Sequence, residues 1–144
     1  VDDDVLVSFI GKAGSEKAKN DYWLRAMDNA WYNRNFVSLS LYVGMFDSKK
    51  PKLDPMDAKT VSRYFSTLAH VAYKSQNLVA TFVFFEKAIK YDPLDTTSIY
   101  NLAVLYHTNG KSDKATVLLK KLLKINPGDR SAAELLEDIQ EDSR

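Results

Sequence analysis

Two consecutive segments of 34 residues, Ser62 to Asp95 and Thr96 to Asp129, carry the same pattern of large apolar, small and turn-forming residues with no gap between them. The second, TTSIYNLAVLYHTNGKSDKATVLLKKLLKINPGD, is the more regular. Its apolar residues recur at three- and four-residue spacing, so it reads as two amphipathic helices. Asn109-Gly110 supplies a tight turn between them and Asn126-Pro127 closes the unit. A helical hairpin of this size cannot bury both of its faces alone, so neighbouring hairpins must stack into a curved array.

The pattern extends in both directions, less cleanly. At an offset of 42 residues from the second unit, Asn35-Phe36-Val37-Ser38-Leu39 aligns with Asn77-Leu78-Val79-Ala80-Thr81, and Pro51 with Pro93. Residues 20–53 are therefore a degenerate first unit, and the eight extra residues fall at 54–61. Asp54-Pro55 is a helix start, a capping carboxylate followed by proline at the first helical position. The insertion thus lengthens the next helix to about Pro55 through Lys74. Residues 1–19 hold a short helix, with Val5, Leu6, Phe9 and Ile10 on one sticky face, ended by Gly11 and followed by a linker. The acidic tip Asp2-Asp3-Asp4 suits that helix's N-terminus better than a calcium loop, because adjacent carboxylates diverge. Residues 130–144 form a terminal helix and tail, with Ser131 and Glu134 at capping-box spacing and one polar face to cover the last hairpin.

These units resemble tetratricopeptide repeats. Counting from Thr96, that family's pattern has a bulky residue at the fourth place, Leu at the seventh, a small residue at the eighth and Tyr at the eleventh. Small or apolar residues follow at the twentieth, twenty-fourth and twenty-seventh places and Pro at the thirty-second. The third unit has Ile99, Leu102, Ala103, Tyr106, Ala115, Leu119, Leu122 and Pro127 there; only Leu122, where the family prefers Ala, departs. The second has Phe65, Leu68, Ala69, Ala72, Thr81, Phe85, Ala88 and Pro93, and the first Trp23, Ala26, Met27, Ala30, Leu39, Val43, Phe46 and Pro51. The resemblance implies an all-α fold, a right-handed α-α superhelix of three hairpins and a capping helix. It also implies that the first helix of each hairpin lines a concave groove that receives a peptide segment of a partner protein.

Groove-facing side chains then fall between the packing positions. These are Leu24, Asp28, Trp31 and Tyr32 in the first unit, Arg63, His70, Tyr73 and Lys74 in the second, and Tyr100, Asn101, Val104 and His107 in the third. Their aromatic rings are suited to anchoring a ligand, since each covers a large area with few torsions. Some relatives grip a C-terminal carboxylate with Lys, Asn and Arg at set places; Leu24, Asp28, Thr67, Thr97 and Asn101 stand there, so a mixed apolar and polar segment is the expected ligand instead.

The remaining chemistry is mostly negative. Zero cysteines exclude a disulfide framework and a thiol nucleophile and leave the compartment open, with a cytoplasmic one favoured. No phosphate-cradling glycine loop occurs, and His70 and His107 have no Ser or carboxylate at catalytic or metal-binding spacing, so neither an enzyme nor a cofactor or metal site is expected. With a formal net charge of +1 the chain has no overall field for nucleic acid; a lysine-rich nucleic-acid face from Lys111 to Lys124 would need aromatic or arginine partners on the same surface, and Lys114, Lys120, Lys121 and Lys124 lie on a second helix, on the convex side. No apolar run spans a bilayer, so no membrane insertion is expected. The expected role is a protein-interaction module, an adaptor or assembly factor; the start at Val1 instead of Met reads as a domain cut from a larger protein in preference to a removed leader. A compact secretion chaperone of the type III kind and a dimerisation element, with Val5, Leu6, Phe9 and Ile10 docking into a groove, are the alternatives.

Overall fold

The computed structural model describes residues 3–12 and 14–143. Asp2 lies outside them, as do the side chains of Asp3, Asp4 and Leu6, so the acidic tip has no structural account. Eight α-helices and no strands occur among the described residues: α1 (Asp3–Ile10), α2 (Glu16–Tyr32), α3 (Phe36–Ser48), α4 (Pro55–Lys74), α5 (Leu78–Tyr91), α6 (Thr96–Thr108), α7 (Ser112–Ile125) and α8 (Arg130–Asp142). The pairs α2/α3, α4/α5 and α6/α7 are the three hairpins, with α1 against α2 at one end and α8 against α7 at the other.

Local chemistry sets most of these boundaries. Ser15, Asn35, Asp54, Asn77, Asp95 and Asp129 each accept, through a side-chain oxygen, the backbone N–H three residues ahead, satisfying a donor the helix start leaves free. Two ends differ from the expectation. α2 starts at Glu16, within the stretch read as linker, because Ser15 caps it. α8 starts at Arg130, because Asp129 and not Ser131 accepts from Ala132 N at 3.0 Å, and this places Arg130 within 3.3 Å of Glu134 one turn on.

The three hairpin turns are built alike. The N–H groups of Asn35, Asn77 and Lys111 reach back to the carbonyls of Ala30, Ala72 and Tyr106 at 2.8, 2.9 and 2.8 Å. This is the closing bond of a Schellman turn, which needs one left-handed residue. Arg34, Gln76 and Gly110 fill that place with φ of 55, 60 and 78°. Only the third turn uses glycine, the residue that adopts this conformation without strain.

Packing follows the repeat. Every non-proline pattern position, from Trp23 to Leu122, is buried, including Thr81, whose hydroxyl donates to Asn77 O at 2.8 Å. The interior divides into two cores. One gathers Ile10, α2, α3 and the first half of α4 with Val61, Tyr64 and Phe65; the other gathers Ala69, Phe85, α6, α7 and, from α8, Ala132 and Ile139. α4 bridges the two. The extra turns at residues 54–61 bring Val61, fully buried, into the first core.

Polar contacts lock the first hairpin to the second. On the outer side Asp47 of α3 accepts from Lys87 Nζ at 2.7 Å, Tyr91 Oη at 2.8 Å and Lys90 Nζ at 3.3 Å of α5. Burial pushes its carboxyl up, but these three donors more than offset that and hold it below the ordinary carboxylate value.

Candidate functional site: the inner face of the first helices

α2 and α4 lie side by side and run the same way, as two contacts at an equal offset require. Tyr64 Oη donates to Asp28 Oδ1 at 3.1 Å, and Trp31 Nε1 to Thr67 Oγ1 at 3.1 Å. The Trp31 ring tilts against Tyr64 at 6.3 Å, and the Arg63 guanidinium sits 5.7 Å from the Trp31 centroid. Asp28, Trp31 and Arg63 are therefore seam residues between hairpins as well as surface ones. Tyr64 itself is buried, and burial with the Asp28 carboxylate raises its pKa well above the ordinary phenol value. An aromatic so placed is structural.

The other expected positions divide by exposure. Tyr32 and Tyr73 present 79% and 55% of their surfaces to solvent, far more than packing alone leaves to a tyrosine ring. Arg63, Asp28, His70 and Lys74 are exposed too. His70 turns its ring edge-on to Phe85 at 5.4 Å. Leu24 is half-buried against the first core and Tyr100 against the second. Asn101, Val104 and His107 are half-buried, and His107 Nδ1 lies 3.1 Å from Ser112 Oγ. No group of His, Asp and Glu suited to a metal occurs among the described residues.

A cavity of about 370 Å³ opens where the α2–α3 turn meets the middle of α4, lined by Trp31, Tyr32, Arg34, Phe36 and Thr67. Arg34 and Phe36 were not among the expected site residues; the sequence signal for them was their place beside the turn. A larger cleft of about 860 Å³ lies at the opposite end of α2, between that helix and the 49–54 loop, with Ile10 and Trp23 on its wall. Lysines there face Asp21, Asp54 and Asp57, and burial with Asp54 and Asp21 pushes the Asp57 carboxyl up. A wall of both signs does not select a ligand charge. α1 packs chiefly on α2, with Ile10 buried, Phe9 stacked on Tyr22 at 6.3 Å, and Val5 and Phe9 still 44% and 45% exposed.

The outer face carries an apolar stripe that sequence reading passed over. Val37, Leu41 and Met45 of α3 and Val79 and Val83 of α5 are exposed at four-residue spacing.

Stacked hairpins whose first helices share a lining face define a helical solenoid with a shallow groove. The family model described as Tetratricopeptide repeat matches residues 84–116, from the middle of α5 through α6 into α7. Among solved structures the chain is similar to MamA, with a TM-score of 0.55 and 18% identity over 88% of this chain and 80% of that one. A comparison with curated proteins finds no match. The chain is a helical-repeat protein of the tetratricopeptide type, and repeats of this type serve in general as protein–protein interaction modules.

Proposed function

We propose that this chain captures a peptide segment of a partner protein in the groove lined by α2, α4 and α6, as an adaptor or assembly factor. The observation that carries the reading is the exposure of Tyr32 and Tyr73 on first-helix positions that the cores do not use. Rigid amphipathic rings held open to water on a preformed surface are the residues that most often dominate a protein interface. Burying one on binding contributes roughly 1.5–3 kcal/mol. Tyr100, Val104 and His107 continue the same lining along α6.

The test begins with affinity capture on the immobilised chain and mapping of the captured segment as a synthetic peptide. Tyr73→Ala and Tyr100→Ala are each expected to weaken that peptide by about tenfold, roughly 1.4 kcal/mol, while leaving the unfolding midpoint of Tyr73→Ala close to that of the parent. Full affinity in both variants would place the binding surface elsewhere. Self-association through the exposed Val5 and Phe9 of α1 is the second reading. It predicts a dimer in solution that dissociates when residues 1–12 are removed; an unchanged monomer discards it.

A further inference from the structure

The groove is not uniform along its length, and the cavity at its first-repeat end has a chemistry of its own. Its walls are Trp31, Tyr32 and Phe36, its rim is Arg34, and Thr67 is already engaged by the Trp31 indole. A second cation, Arg63, lies against Trp31. Among the described residues neither arginine takes part in an ion pair, and Asp28, one turn earlier on α2, already accepts the Tyr64 hydroxyl. Three aromatic walls beside two guanidinium groups that form no ion pair suit an apolar side chain flanked by carboxylates, since Arg pairs with carboxylate through a rigid fork of donors. The volume, about 370 Å³, is near the lower end of the roughly 300–1,000 Å³ range of ligand pockets, room for one large side chain.

The φ of Arg34, 55°, belongs to the left-handed region, where the same turn of the third hairpin has Gly110. The second hairpin has Gln76 there at φ 60°, so the turn itself imposes this conformation, and glycine at position 34 removes the side chain without disturbing the turn.

We propose that this pocket is the anchor subsite of the groove, taking a phenylalanine-sized side chain of the partner segment, with a neighbouring acidic residue paired to Arg34. This rests on the groove reading and narrows it to a class of ligand, an acidic segment with an aromatic anchor. The probe is a capped peptide, Ser-Gly-Glu-Phe-Glu-Gly-Ser, titrated into the full chain while heteronuclear NMR follows the Trp31 indole N–H. A saturable shift of that signal is expected. Peptides with Lys for Glu, or Ala for Phe, are expected to bind at least about tenfold more weakly, as is the original peptide with Arg34→Glu. Arg34→Gly should lose the same affinity while the chain becomes no less stable, a combination that a purely structural Arg34 would not give. Equal binding of acidic and basic peptides, full affinity in Arg34→Gly, or no saturable shift at Trp31 overturns the proposal. If the acidic peptide shifts only signals around Tyr73 and Tyr100, the anchor subsite falls and the groove reading stands.

Discussion

The left-handed residues of the three turns form an internal experiment on backbone strain. Gln76 has φ 60° and Gly110 has φ 78°, in turns closed by the same hydrogen bond. A left-handed conformation costs a residue with a Cβ about 1–2 kcal/mol. Glycine removes that strain but loses about 0.5–1 kcal/mol more chain entropy on folding. Gln76→Gly should therefore stabilise the chain by about 0.5–1 kcal/mol. Gly110→Ala should destabilise it by a similar amount, and no other term intervenes, since a Cβ built at Gly110 meets no atom within 4 Å. The side chain of Gln76 is exposed and makes no hydrogen bond among the described residues, so its removal breaks none there. Urea unfolding reads both variants as opposite shifts of the midpoint at a constant slope. A destabilised Gln76→Gly, or a Gly110→Ala indistinguishable from the parent, would refute the reasoning that all three turns hold the same strained position.

Two further predictions concern packing and pH. Leu102, almost fully buried in the second core, should lower stability by about 2–5 kcal/mol when replaced by Ala, with unfolding cooperativity the accompanying check that the fold survives. Asp47→Ala removes a carboxylate that three side chains share and should cost about 1–2 kcal/mol at neutral pH, a range already discounted because Lys87 and Lys90 are partly exposed. The carboxyl of Asp47 sits below its ordinary carboxylate value in the folded chain, so its contribution is present above that ordinary value and is lost as pH falls through the lowered folded one. The stability gap between parent and variant should accordingly narrow in strong acid, and a gap that stays constant from about pH 7 to about pH 2 would remove Asp47 from the account.

Residue patterns made the packing legible because burial within a hairpin is periodic. Leu102 and Ala115 can be placed from spacing alone, and so can the burial of Tyr106, but not its partners, Phe82 and Glu86 of the preceding unit. Contacts between hairpins obey a different arithmetic. Asp28 meets Tyr64 at a separation of 36 residues, and Asp47 meets Lys87 and Tyr91 at 40 and 44. The eight extra residues at 54–61, which cap and begin α4, and the rotation between hairpins decide those offsets, and neither can be read from composition. The start of α8 moved for a local reason: Asp129 and Ser131 both suit a cap, and the tie is broken by half a turn more helix and a charge pair on its surface. For the outer stripe the signal was present, since α3 holds a single charged residue, Asp47, in thirteen. A helix apolar on all sides has more apolar surface than one core covers.

What separates the three hairpins is the set of side chains around one shared backbone turn. Trp31, Tyr73 and His107 hold equivalent places, as do Tyr32, Lys74 and Thr108, then Arg34, Gln76 and Gly110, then Phe36, Leu78 and Ser112. At the third turn His107 and Ser112 lie within hydrogen-bond distance, 3.1 Å, and satisfy each other, while glycine contributes no side chain at all. That corner is polar. At the first turn the same backbone holds three aromatic rings and an unpaired guanidinium around an open cavity. The hydrogen bonds that close the turns are the same, so the side chains differ without a change in the backbone that holds them. The most regular repeat therefore departs least from the shared pattern, and the most degenerate one has the surface least like its neighbours, which is why the proposed anchor subsite falls there.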